Sequence, residues 1–396
     1  MWARSAPHRP GYPARVSFPI APPCQRKVRT AGVPVIVLIL LGTVAGLILI
    51  ALTALNPVGA AIGFVLSSVA MVVVVLCYVW LDRWEPEPPR LLVFAFLWGT
   101  SVAVVLSVLL GLYVEALIAP AGSESVGWVS TVVAAPVVEE AAKGAFLLLM
   151  MTGYRRHELN SLTDCLVYAG LVGAGFAWLE DVLYIAGGES VGDSLLTAAL
   201  RLIMAPFAHS LFTSFFAIGV FFALNRRSQA AKLIYIAAGY AAAVVVHGLW
   251  NGSSLLGLEW YLAVYVLWMM PIFALAIVLA VQSRRREQRI VAAKLPGMVQ
   301  AGLVSANEAT WLSSIRARKA ALVQARRAGG KPAAKTVQRF AAQVVELAFV
   351  RDRIDRGFGD ERIYAMQTEE AYAVHAARAS APTLQWLAGY RAPGAR

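Results

Sequence analysis

Two adjacent carboxylates and a lysine, Glu139, Glu140 and Lys143, stand mid-way along an apolar run from about Val126 to Met151. A charge at the centre of a membrane helix costs on the order of 2.5–3.5 kcal/mol on insertion scales, so such groups persist where they pair, face a protein interior or do chemistry. Lys143 follows Glu139 by four residues and Glu140 by three, which puts it within reach of either on a helix. The two glutamates themselves point about 100° apart. Three later apolar stretches carry further polar groups: Glu180 with Asp181, His209 with Thr213 one turn on, and His247 with Asn251 one turn on. A carboxylate can take a proton from water, and a histidine can share that work or donate to a leaving amine. Imidazole and an Asn amide can stabilise a tetrahedral oxyanion. Hydrolysis of a peptide bond needs both capacities. The set also suits zinc, with His209, His247 and Glu180 as ligands and a second glutamate as base. HExxH is absent, so a metal site here draws its ligands from different helices. No phosphate-binding Gly loop and no serine-nucleophile motif stands out. The plainer reading of the same residues is a set of ion pairs closing a helix bundle.

The elements that must position these groups follow from composition. Of the 396 residues, 59% are hydrophobic and 15% charged, against roughly 25% charged in soluble domains. The expected class is all-α, a polytopic membrane protein. Apolar stretches of membrane length fall at about 33–55, 60–81, 91–118, 126–151, 161–186, 195–224, 231–254 and 260–281, eight in all. Arginine and lysine alternate with them. Arg83 and Arg90, then Arg155 and Arg156, then Arg226, Arg227 and Lys232 occupy every second connection, and Arg284–Arg286 follow the eighth stretch. The intervening connections carry none, so the positive-inside rule places both termini in the cytoplasm. The net charge of +12 can follow from positive loops on the cytoplasmic side and need not mean nucleic acid as a partner. Cys77 and Cys165 lie within apolar stretches, which argues against a disulfide framework. The first apolar run is full membrane length with no small-residue cleavage site, unlike a secretory signal.

Three domains are expected: a basic, Pro-rich cytoplasmic arm (1–32), the membrane domain (33–282) and a helical cytoplasmic tail (283–396). In the tail, Ser305 with Glu308 has capping-box spacing, and Val337, Phe340, Val344 and Leu347 recur as on one helix face. The basic, Gly-rich stretch Arg326–Lys335 reads as a loop. Gly357-Phe358-Gly359-Asp360 spells the GxGD string of intramembrane aspartyl proteases, but it is polar, outside any apolar stretch, and has no second intramembrane aspartate.

Counted from the outer ends of their stretches, Glu139, Glu180, His209 and His247 all lie roughly 10–22 Å deep at about 1.5 Å per residue. That common depth favours a single site. Arg201 lies about two turns inside the outer end of its stretch, level with Asp181, and is expected to pair with Asp181 or Glu180 rather than snorkel outward.

With these residues in view, the chain resembles the PrsW family of intramembrane proteases, related to the CAAX-protease and bacteriocin-processing superfamily. The matching pieces are Glu139-Glu140-x-x-Lys143, Phe176-Ala177-x-x-Glu180-Asp181, His209, His247-x-x-x-Asn251, and the acidic, Pro-rich connection Asp82-Arg83-Trp84-Glu85-Pro86-Glu87-Pro88. Where the family often has Asn in its second motif, this chain has Asp181. The resemblance implies cleavage of membrane-embedded or membrane-proximal proteins, anti-sigma factors among them, in the lipid bilayer. It leaves open a zinc-dependent or a glutamate-type mechanism. On this reading Glu139 or Glu140 activates water, with Glu139 favoured because Lys143 at i+4 can hold its charge. Glu180 and His209 assist or bind metal, and His247 and Asn251 stabilise the oxyanion. The alternatives are a transporter or scaffold using the same groups as a proton or substrate site, and a hydrolase or transferase acting on lipid. The topology is open to direct test. Reporter fusions after Arg156 and after Gly187 are expected to report opposite sides of the membrane, and same-side signals would remove the eight-span arrangement.

Overall fold

A computed structural model of the chain describes residues 32–84, 86–118, 125–359 and 361–392. The expected basic arm lies almost wholly outside these residues, as does Asp360 of the GxGD string. Among the described residues there is no β-strand. This is what lipid demands of a single apolar segment, because a helix satisfies its backbone polar groups internally.

Among the described residues, six helical stretches are long and apolar enough to cross a membrane: Pro57–Leu81, Pro89–Leu117, Leu162–Ala186, Val191–Leu224, Gln229–Leu255 and Leu258–Gln300. Two more helical runs stand where further spans are expected. One is α1 (Gly32–Leu55). The other joins α5 (Ser125–Val129), a π-helical segment Ser130–Ala134 and α6 (Ala135–Met150). That second run holds Glu139, Glu140 and Lys143 within little more than one helical turn.

The described residues form two compact units, one within 32–82 and 86–283, the other within 83–84 and 284–392. The first is organised around α7 (Leu162–Ala186), which is buried along nearly its whole length. Its sequence has no continuous polar stripe, as befits a helix surrounded by other helices. It is launched by a capping box in which the Ser161 hydroxyl accepts from the Asp164 amide and the Asp164 carboxylate accepts from the Ser161 amide. Around it pack α2 (Pro57–Leu81), α3 (Pro89–Leu97) with the π-helical Trp98–Ala103, and α9 (Ala208–Leu224), while α10 (Gln229–Leu255) packs on α9 and α6.

Two glycines, each beside a histidine, mark close backbone approaches near the polar cluster. A Cβ at Gly173 on α7 would lie 2.6 Å from Ser210 Cα and 2.7 Å from the His209 carbonyl carbon, both backbone atoms of α9. A Cβ at Gly248 on α10 would lie 2.5 Å from the carbonyl oxygen of Val132, in the π-helical turn before α6. Small residues at such crossings let backbones meet in a membrane, where apolar burial supplies little drive between helices.

In the second unit, α13 (Ala306–Leu312) begins with the expected Ser305–Glu308 capping box. Val337, Phe340, Val344 and Leu347 of α14 (Ile315–Arg353) are all buried in a core with Trp311 and Val374 of α15 (Glu361–Ala379). The stretch Arg326–Lys335, expected as a loop, is helical on both sides of a sharp break. Gly330 adopts φ 73°, a left-handed value that glycine takes without penalty, and Pro332 restarts the helix two residues on. Arg318 lies 4.2 Å from the Trp84 ring centroid, and burial pushes its guanidinium down to about 10.

The Gly173 contact yields a prediction. Gly173→Ala should destabilise the protein by about 1–3 kcal/mol, because the obstructing atoms are backbone and cannot swing away. The measurement is the thermal or denaturant transition in detergent. An unchanged midpoint would show that α7 and α9 have room to part.

Candidate functional site

Lys143 sits at the centre of the polar cluster and is fully buried. Its ammonium has three hydrogens, and each finds an acceptor. It donates to Glu139 Oε2 at 3.1 Å, to Glu140 Oε1 at 3.0 Å, and to His209 Nδ1 at 3.0 Å. The Phe176 ring lies beside the ammonium, 3.7 Å away at its centroid. All three acceptors arrive for local reasons. The glutamates precede Lys143 by one helical turn on α6, and His209 is brought in where Gly173 lets α9 touch α7.

The two glutamates differ sharply in surroundings. Glu140 is wholly enclosed, with Oε1 also 3.1 Å from His247 Nδ1 and Oε2 accepting from the Thr213 hydroxyl at 3.0 Å. Glu139 lines a cavity of about 480 Å³ together with Glu180, Asp181, Arg201, His209 and Asn251. Both neighbours of Glu139 approach Oε2, Lys143 at 3.1 Å and His247 Nε2 at 3.8 Å, which leaves Oε1 for the cavity. The 100° step between adjacent helical residues is what divides the pair in this way.

His209 stands between two partners. Lys143 can only donate, so Nδ1 accepts and Nε2 carries the hydrogen, which it gives to Glu180 Oε2 at 2.7 Å. Arg201, on the π-helical segment Ala199–Met204, donates from Nη2 to that same Glu180 oxygen and from Nε to Asp181 Oδ1 at 2.5 Å. The expected pairing of Arg201 is therefore made with both acids. His247 stacks on Phe212, with ring centroids 4.6 Å apart at 19°. Phe212 escaped the sequence reading, although it follows His209 by three residues and so shares its face. Asn251 reaches the cavity wall and donates to the Thr131 carbonyl at 3.1 Å, in the π-helical turn. Its second amide hydrogen remains for another acceptor.

The sequence-derived residues thus fall in one place, but not as equals. Glu139, Glu180, His209 and Asn251 line the cavity, whereas Glu140 and His247 stand behind Glu139 and hold it. For a metal, the set whose ligand atoms lie within 4.8 Å of one another is Glu139, His209 and His247, with Glu139 in the place expected for Glu180. Two imidazoles and a carboxylate fit zinc by donor type.

Residues 87–276 match the PrsW family intramembrane metalloprotease family. The chain is also similar to the protease PrsW of Geobacillus kaustophilus (strain HTA426), with 25% identity over 204 residues, covering 51% of this chain and 84% of the relative. No solved structure matches the chain. All six candidate residues lie inside the matched region.

A ranking of stabilities follows from the hydrogen bonds. Lys143→Met leaves two buried carboxylates without their shared cation and should cost about 3–5 kcal/mol. Thr213→Val removes one hydrogen bond to Glu140 and should cost about 1–3 kcal/mol. Unfolding midpoints in detergent check the order, and equal losses would mean that the ammonium is not the common partner of both carboxylates.

Proposed function

With residues 87–276 belonging to the PrsW family, we propose that the chain is an intramembrane endopeptidase that hydrolyses peptide bonds of membrane-embedded or membrane-proximal proteins, with anti-sigma-factor-like proteins as one candidate substrate class. Eight spans with both termini on the cytoplasmic side frame this site. The observation that carries the reading is the division of the glutamate pair. One carboxylate, Glu139, opens to a cavity shared with His209, Glu180 and Asn251, and the other, Glu140, is enclosed behind it.

Glu139 is the base. It takes a proton from a water in the cavity as the water oxygen bonds to the peptide carbonyl carbon, and the same proton is available to the departing amine. The free hydrogen of the Asn251 amide faces the developing oxyanion. Glu140, His247 and Thr213 do not touch substrate. They keep Glu139 and Lys143 in place, which makes His247 a support for the carboxylate pair rather than an oxyanion donor. His209 is oriented by Glu180 through Nε2. Glu139, His209 and His247 are the residues that would hold zinc; a bound ion would supply a more acidic water, and Glu139 would then serve as its ligand in place of acting as the base.

Glu139→Gln keeps the shape and hydrogen-bonding capacity but cannot take the proton. It is expected to lower cleavage about 100- to 10,000-fold while abundance and insertion stay near wild type. Cleavage of a membrane-anchored substrate by purified protein, run with and without a chelator, tests this. A Glu139→Gln protein that cleaves at the wild-type rate sinks the assignment; chelator-sensitive activity restored by zinc, with metal content lost in His209→Ala and His247→Ala, assigns zinc to the ligands named above.

A further inference from the structure

Arg201 and His209 belong to the same stretch of chain but not to one continuous helix. Arg201 lies in the π-helical segment Ala199–Met204, and α9 begins at Ala208. Between them Ala205 leaves helical geometry at φ −127° and ψ 36°, and Pro206 has no amide hydrogen to offer the preceding turn. Helical periodicity therefore cannot relate the direction of the Arg201 side chain to that of His209. Something else must do so, because both meet Glu180.

The contacts indicate what does. Asp181 and Tyr184 on α7 hold the guanidinium, Asp181 through Nε at 2.5 Å and Tyr184 through its ring face at 4.2 Å. Those two contacts alone would make an ordinary intramembrane ion pair. The remaining one, from Nη2, goes to Glu180 Oε2, and that single oxygen is also the acceptor of His209 Nε2 at 2.7 Å. A guanidinium donates in a rigid planar fork, so an arginine held at Nε has little freedom in where it places Nη2. Glu180 borders the 480 Å³ cavity and without that bond could turn into it.

We propose that Arg201 is a positioning residue for the hydrolysis proposed above. Anchored by Asp181, it pins the one Glu180 oxygen that receives the His209 Nε2 hydrogen, and so fixes the plane and tautomer of the imidazole across the break at Ala205–Phe207. The inference rests on the protease reading for its kinetic consequence, but not for its geometric one. It assigns different work to two adjacent acids: Asp181 holds the arginine, and Glu180 passes its position on.

The test uses full-length protein in proteoliposomes with a single-span reporter protein as substrate, and follows His209 separately by its rate of carbethoxylation, read by mass spectrometry. Arg201→Met is expected to lower kcat about 10- to 100-fold, the usual effect of losing a partner that orients a working histidine, with KM little changed. Arg201→Lys should recover part of that loss, since it restores the charge but not the fork. In both variants His209 should be carbethoxylated faster than in wild type, where both of its nitrogens are engaged. Wild-type kcat per folded molecule in Arg201→Lys and Arg201→Met, or His209 as protected as in wild type, overturns the proposal. Should Arg201→Met fail to fold, Arg201→Lys decides alone by the same two readings. A wild type no faster than Glu139→Gln refutes the protease reading instead, and the carbethoxylation arm still decides the geometry.

Discussion

Everything in the membrane unit depends on one ammonium having three acceptors. Lys143 is buried beyond the reach of solvent, and so is Glu140, with Glu139 nearly so. Any of these charges alone would be expensive in an apolar helix bundle. Together, with every Lys143 hydrogen used and both Glu140 oxygens engaged, each replaces for the others the water they have lost. The condition is geometric as much as electrostatic. The third acceptor comes from a different helix, so α9 must approach α7 closely enough for His209 Nδ1 to reach, and the absent side chain at Gly173 is what permits it. Gly248 does the corresponding service for His247. The polar cluster and the tight helix crossings are one arrangement seen from two sides.

The cluster is also preorganised. Dipoles and charges that already point where charge will develop need not be reordered during reaction, which is the larger part of what a buried polar site contributes. Here the fixed part is the enclosed half: Glu140, His247, Thr213 and Lys143. Each residue of the half bordering the cavity, Glu139, Glu180, His209 and Asn251, is held by at least one hydrogen bond or ion pair while lining the open volume.

Much of this was legible in the residues. Charges in apolar runs stand out because they cost energy, so Glu139, Glu140, Glu180, His209, His247 and Asn251 could be picked out as a set, and the Arg201 pairing could be argued from depth. The i+4 relation of Lys143 to Glu139 and the i+3 relation to Glu140 are both realised, so spacing alone could not say which carboxylate meets the cavity. That depends on the phase of α6 against three other helices. For the same reason Glu180 and Glu139 exchanged places in the potential metal set, and His247 proved to face the carboxylates. In the second unit, Gly-rich composition at Arg326–Lys335 suggested a loop, but two glycines suffice for a break and the flanking alanines, lysines and arginines favour helix. The π-helical segments left no mark that composition could show, because an i→i+5 turn differs from an α turn in count and not in residue type.

The π-helical turn Ser130–Ala134 has a consequence for chain length. It accommodates one residue more than an α turn would, just ahead of Pro136. Loss of one residue there would leave an unbroken helix and would not disturb the spacing of Glu139, Glu140 and Lys143. It would turn the preceding part by about 100° and carry the Thr131 carbonyl away from Asn251. Loss of one residue between Glu140 and Lys143 would instead part the ammonium from its carboxylates. A single helix thus contains one place where a gap in a sequence alignment can be absorbed by the backbone, and another, two turns further on, where it cannot.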